Sequence, residues 1–198
     1  MAIDFMIMPL SRYISGDFIT PTMRLAWDQG VPYSIFGPDG RKDYPAGEPF
    51  GGASAPQRRA AIQTILQEDL RALPPNVACQ LWDEQSNVEP RFHRVDPTSY
   101  QALVEQAASK KVRPSLFGFL KRQRPATPHV TATLFLPCEF DEIFAMSSPF
   151  DRITGSMQRS LQELSSNTWG ADAQNARETF SEALRDAMEA RLPMIVDW

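Results

Sequence analysis

Imidazole is scarce in this chain. His93 and His129 are the only histidines, so a mechanism needing an imidazole base has two candidates. Thiols are as scarce, at Cys79 and Cys138. A Cys/His hydrolase would join one thiol to one ring in space, but neither cysteine stands in a nucleophile elbow or a family signature. Acids are better placed: Glu139, Asp141 and Glu142 follow an apolar run, a position where α/β enzymes hold carboxylates for metal or substrate. A charged turn after a buried strand accounts for them equally, and without a neighbouring histidine they form a weak magnesium or calcium pattern. The catalytic alternative is therefore a hydrolase using Glu139, Asp141 or Glu142 with His93 or His129. It requires these side chains to converge on one pocket.

Gly51, Gly52, Ala53 and Ser54 precede a helical pattern with Arg58 and Arg59 in its first turns, the ingredients of an anion site. Pro56 removes one N–H donor and the Lys-Ser/Thr pair of a phosphate loop is missing, so Ser54 reads more simply as a helix cap. No cofactor motif is present, and two cysteines are too few for a structural zinc site. No metal site and no cofactor are expected.

Charge is distributed unevenly. No acidic residue lies between Glu105 and Glu139, while Lys110, Lys111, Arg113, Lys121, Arg122 and Arg124 surround Leu116, Phe117, Phe119 and Leu120. Taking those six cations from the 20 Lys and Arg leaves 14 against 24 Asp and Glu, so a +6 segment sits in a body of −10. The acidic body opposes a long polyanion, which makes nucleic acid an unfavourable partner. Pro114 and Gly118 interrupt the amphipathic helix that membrane docking normally uses, so peripheral membrane contact would be weak. A protein partner fits better. Arg113, Phe117, Phe119, Lys121, Arg122 and Arg124 combine aromatic anchors with charge, as interface hot spots do, and Lys110 and Lys111 are accounted for as helix-end cations. The acidic body is an alternative working surface, facing a basic partner.

The elements that must position these groups are short, because 17 prolines are spread along 198 residues. Ile3 to Met8 reads as a strand stopped by Pro9. Thr20 and Pro21 open a helix whose buried stripe is Met23, Ala26 and Trp27, and Gly30 ends it. Tyr33 to Phe36 is a short strand, followed by a loop rich in proline and glycine. Ser54 opens a helix with Ile62, Ile65, Leu66, Leu70 and Leu73 on one face, and a short helix is expected over 77–82. Asp96 and Pro97 begin another, with Tyr100, Leu103, Val104 and Ala107 inward. The run 130–136 reads as a strand buried in mid-sheet, the last third as helical from Ile153 onward, and Met194 to Trp198 as an edge strand.

These elements predict an α+β fold in a single domain, residues 1–198, with a small mixed or antiparallel sheet packed against four or five helices. An exposed Pro/Gly-rich loop is expected at 37–53 and a basic connecting segment at 112–128. No apolar run reaches the ~18 residues that span a bilayer, and the first ten residues lack the basic start of a signal peptide, so the cytoplasm is the expected compartment. The expected function is protein binding by complex formation, as an inhibitor, immunity-type or adaptor protein.

Overall fold

The structure, a computed structural model, describes residues 2–18, 20–37, 40–44, 59–64, 66, 82–109, 127–146 and 150–197. They belong to two compact units, Met1–Pro9 with Asp69–Trp198, and Leu10–Glu68. The class is α+β, as the sequence predicts, and the sheet is mixed.

The first unit is built on a six-stranded sheet. Its strands are β1 (Ile3–Ile7), β4 (Arg91–Val95), β5 (Leu134–Leu136), β6 (Phe144–Met146), β7 (Arg152–Ser156) and β8 (Met194–Asp197), in the order β4-β1-β8-β5-β7-β6. All neighbours are antiparallel except β5 and β7. The apolar run of β1 serves both faces: Phe5 and Ile7 are buried on one, Met6 and Met8 on the other. Helices α3 (Pro97–Ser109), α4 (Met157–Ser166) and α5 (Gln174–Ala190) contribute to the core on the Phe5 face. There Phe180 of α5 stacks on Phe5 at 4.9 Å between centroids and meets the edge of Phe135 at 5.1 Å. Such aromatic pairs add about 1 kcal/mol each beyond the area they bury.

Helix starts follow local chemistry. The Asp96 carboxylate accepts the Ser99 N–H at 2.9 Å and opens α3. The Ser156 hydroxyl accepts from Arg159 N–H at 3.2 Å and opens α4. α5 closes on Arg191 in the left-handed conformation (φ 54), with the Leu192 N–H returning to Ala187 O.

The first unit also corrects several expectations. The run 130–136 is a strand only over its last three residues; His129–Thr131 coils into a single 3-10 turn because Glu163 takes its first two N–H groups. Ile153 lies on β7, and helix begins only at Met157, after Ser156 caps it. β8 is central, between β1 and β5, rather than at an edge. Arg91–Val95 forms an edge strand that the sequence pattern does not single out.

The second unit holds α1 (Leu10–Ser15), α2 (Pro21–Asp28), a helical stretch at 59–64, and the hairpin of β2 (Tyr33–Gly37) with β3 (Gly40–Tyr44). Thr20 caps α2 through its hydroxyl to the Met23 N–H at 3.1 Å, and Gly30 adopts φ 63 beyond its end. Met23 and Ala26 are buried as expected; the Trp27 side chain lies outside the described set. β2 pairs with β3 alone rather than joining the main sheet, and β3 occupies part of the stretch expected as loop. Residues 45–58 and 67–81, including Ser54 and all of the segment 77–82 but its last residue, Trp82, lie outside the described residues. No described helix is long and apolar enough to cross a membrane.

Candidate functional site

His129 is buried at the turn that precedes β5. Its Nδ1 accepts the main-chain N–H of Ser156 at 2.9 Å, and its Nε2 lies 3.1 Å from the main-chain oxygen of Asp141. An amide N–H can only donate and a carbonyl can only accept. The ring is therefore neutral, with its proton on Nε2, and both nitrogens are engaged. A general base needs a free lone pair directed at substrate. Here the lone pair is occupied by the protein's own backbone.

The approach depends on Gly155. A Cβ at that position would lie 2.9 Å from both the Ala132 Cβ and the His129 carbonyl oxygen, so the absence of a side chain lets the 3-10 turn press against β7. The same turn is capped from α4. The Glu163 oxygens accept the N–H groups of His129 and Val130, each at 2.9 Å. Charge-assisted bonds of this kind contribute about 1.5–3 kcal/mol each.

Two of the three clustered acids meet a cation rather than a metal or a histidine ring. Arg159, at the start of α4, bonds the Asp141 carboxylate and lies 3.4 Å from Glu139 Oε1. Asp141 is 80 % exposed and Glu139 53 % exposed, so these pairs contribute on the order of 0–1 kcal/mol. Glu142 is exposed. His129 approaches Asp141 through the main-chain carbonyl, not the carboxylate. Among the described residues no group of three or more His, Cys, Asp and Glu side chains is placed to hold a metal ion.

His93 lies elsewhere. It sits on β4, three strands from β5 in the sheet order and hence on the order of 14 Å away. Its Nε2 lies 3.0 Å from Asp186 Oδ2 of α5, and Arg91 bonds the other oxygen of the same carboxylate. Burial alone would raise the Asp186 carboxyl; hydrogen bonds from His93 and Arg91, and their charges, outweigh it and hold the group below its ordinary value. On the opposite face Arg94 grips Asp4 with two bonds of 2.8 Å. His93 is thus not brought together with Glu139, Asp141 or Glu142.

Cys138 is fully buried, and burial pushes its thiol up to about 11, so it stays protonated at neutral pH. Cys79 and the whole expected contact patch, Arg113, Phe117, Phe119, Lys121, Arg122 and Arg124, lie outside the described residues. The residues that sequence reasoning missed are Glu163, Arg159, Ser156 and Asp186. Glu163 is 34 residues from the amide it caps and Asp186 is 93 from His93, so no local spacing pattern announces either.

Comparison with protein-family models, with curated proteins and with solved structures finds no match for this chain.

Proposed function

We propose that this protein acts in the cytoplasm by forming a complex with another protein, as an inhibitor, immunity-type or adaptor protein. The observation that carries this is the engagement of His129, whose two ring nitrogens are both bonded to main chain. Glu139 and Asp141 are bridged by Arg159, and Glu163 caps the turn that carries His129. His129 and Glu163 are bonded to main chain rather than left open to a substrate, which supports a reading in which the protein works through its surface.

The contact patch we assign is Arg113, Phe117, Phe119, Lys121, Arg122 and Arg124, the cationic and aromatic stretch in an otherwise acidic chain. Its composition suits an acidic protein surface, where complementary charge speeds encounter. The test is affinity capture from the native host with the parent protein and with a Lys121→Glu, Arg122→Glu, Arg124→Glu variant. One partner is expected with the parent and lost with the variant. A protein that stays alone while consuming a small molecule in a metabolite screen would contradict the proposal.

A further inference from the structure

The edge strand β4 has an open main-chain side. The Val196 N–H donates to Thr133 O, so residue 196 of β8 faces β5; the Met8 N–H donates to Pro193 O, across the β1 side. Main-chain groups alternate along a strand, so Ile195 and Asp197 face β1, where their register partners are Met6 and Asp4. Ile3, Phe5 and Ile7 then face β4 and pair with Val95, His93 and Arg91. The N–H and C=O groups of Phe92 and Arg94 are left pointing away from the sheet. Among the described residues no main-chain hydrogen bond closes that edge.

We propose that this edge pairs with the same strand of a second copy, antiparallel and centred on His93, joining two six-stranded sheets into one. The register is self-complementary, as a two-fold contact must be. It sets Phe92 opposite Arg94 of the second copy, twice, and those are the residues whose main-chain groups are open. Four inter-strand hydrogen bonds result. Phe92 and Arg94 also share a side-chain face, so each guanidinium, held by two 2.8 Å bonds to Asp4, comes opposite the ring of the facing phenylalanine. No arginine faces an arginine. Charged edge strands ordinarily repel strand addition. Here Asp4 pairs with Arg94 and Asp186 with Arg91, so the edge presents no uncompensated arginine.

Sedimentation over a wide concentration series tests this, together with oxidative cross-linking. Mass is expected to rise from 22.3 kDa toward twice that value. Phe92→Pro removes an N–H that β1 does not use, so it should leave the fold intact and abolish the rise. His93→Cys places two thiols at a non-hydrogen-bonded cross-strand pair, within disulfide reach, and should cross-link where the parent chain and Phe92→Cys do not. The cross-link decides the matter even where the proline variant fails to fold. A chain that stays monomeric throughout, dimers that persist in folded Phe92→Pro, or cross-linking through Phe92→Cys would each overturn the proposal. So would protection of the Phe92 and Arg94 amides that appears only when a different protein is added.

Discussion

The Ser156 main-chain N–H donates to His129 Nδ1 at 2.9 Å, and this bond joins the turn before β5 to the first residue before α4. It determines the tautomer, and with it what the ring can do. Removing the ring should be costly. His129→Ala leaves the Ser156 N–H and the Asp141 carbonyl unpaired and opens a cavity, for an expected loss of about 2–4 kcal/mol in chemical denaturation. His129→Asn keeps an acceptor near the Nδ1 position and should recover about 1 kcal/mol of this. Equal losses in the two variants would contradict the assigned roles.

Glu163 should behave as a cap with two acceptors. Glu163→Gln replaces one carboxylate oxygen by an amide that cannot accept, leaving either the His129 or the Val130 N–H without its partner. A loss of about 1–2 kcal/mol is expected, with a larger loss for Glu163→Ala. Unfolding midpoints in denaturant measure both. A Gln variant as stable as the parent would show that the cap is not charge-assisted.

Gly155 and Gly170 predict opposite tolerance. At Gly155 an added Cβ meets Ala132 Cβ and the His129 carbonyl oxygen, neither of which can swing away, so Gly155→Ala should cost at least about 2 kcal/mol. At Gly170 the nearest atoms are the exposed side-chain ends of Gln106 and Asp172, which can move aside by exchanging their bonds to each other and to the Gly170 N–H for bonds to water. Gly170→Ala should cost less than about 1 kcal/mol. Thermal melts of the two variants side by side check the order.

Much of the helical framework was legible in the residues, because helix caps act over three positions. Thr20 with Met23 and Asp96 with Ser99 are short-range bonds that a reader of the chain can anticipate. The inward faces of α3 and α5 follow in the same way, with Tyr100, Leu103, Phe180 and Leu184 all buried. β4 was not legible. Its two arginines, Arg91 and Arg94, fall on opposite faces, and the carboxylates that meet them, Asp186 and Asp4, lie 90 or more residues away. β7 was obscured because Ile153 falls in phase with Met157, Leu161 and Leu164, although the Ser156 cap ends the strand between them. Around the candidate site the identity of the scarce residues was readable, but their partners were not. His129 stood as one of two candidate bases, and nothing in its neighbours announces the Ser156 amide.

The carboxylate of Asp186 gives a pH dependence with a definite sign. Its folded value is held below the unfolded one, so its pairing with Arg91 and His93 stabilises the protein above the ordinary aspartate range. That contribution is lost as pH falls through the depressed folded value. Asp186→Asn should therefore be less stable than the parent at neutral pH, by about 0.5–1 kcal/mol, and the two should converge in strong acid. A gap that persists at low pH would place the effect in packing rather than in charge.

His129 and Glu163 are bonded to main chain and hold the turn before β5, and this supports the proposal that the protein works through its surface. Nitrogen-15 NMR of the His129 ring tests it most directly. A neutral ring protonated at Nε2 is expected, with a scalar coupling across the hydrogen bond from Nδ1 to the Ser156 amide. A proton found on Nδ1, or a ring uncoupled from Ser156 and open to chemical modification, would contradict it.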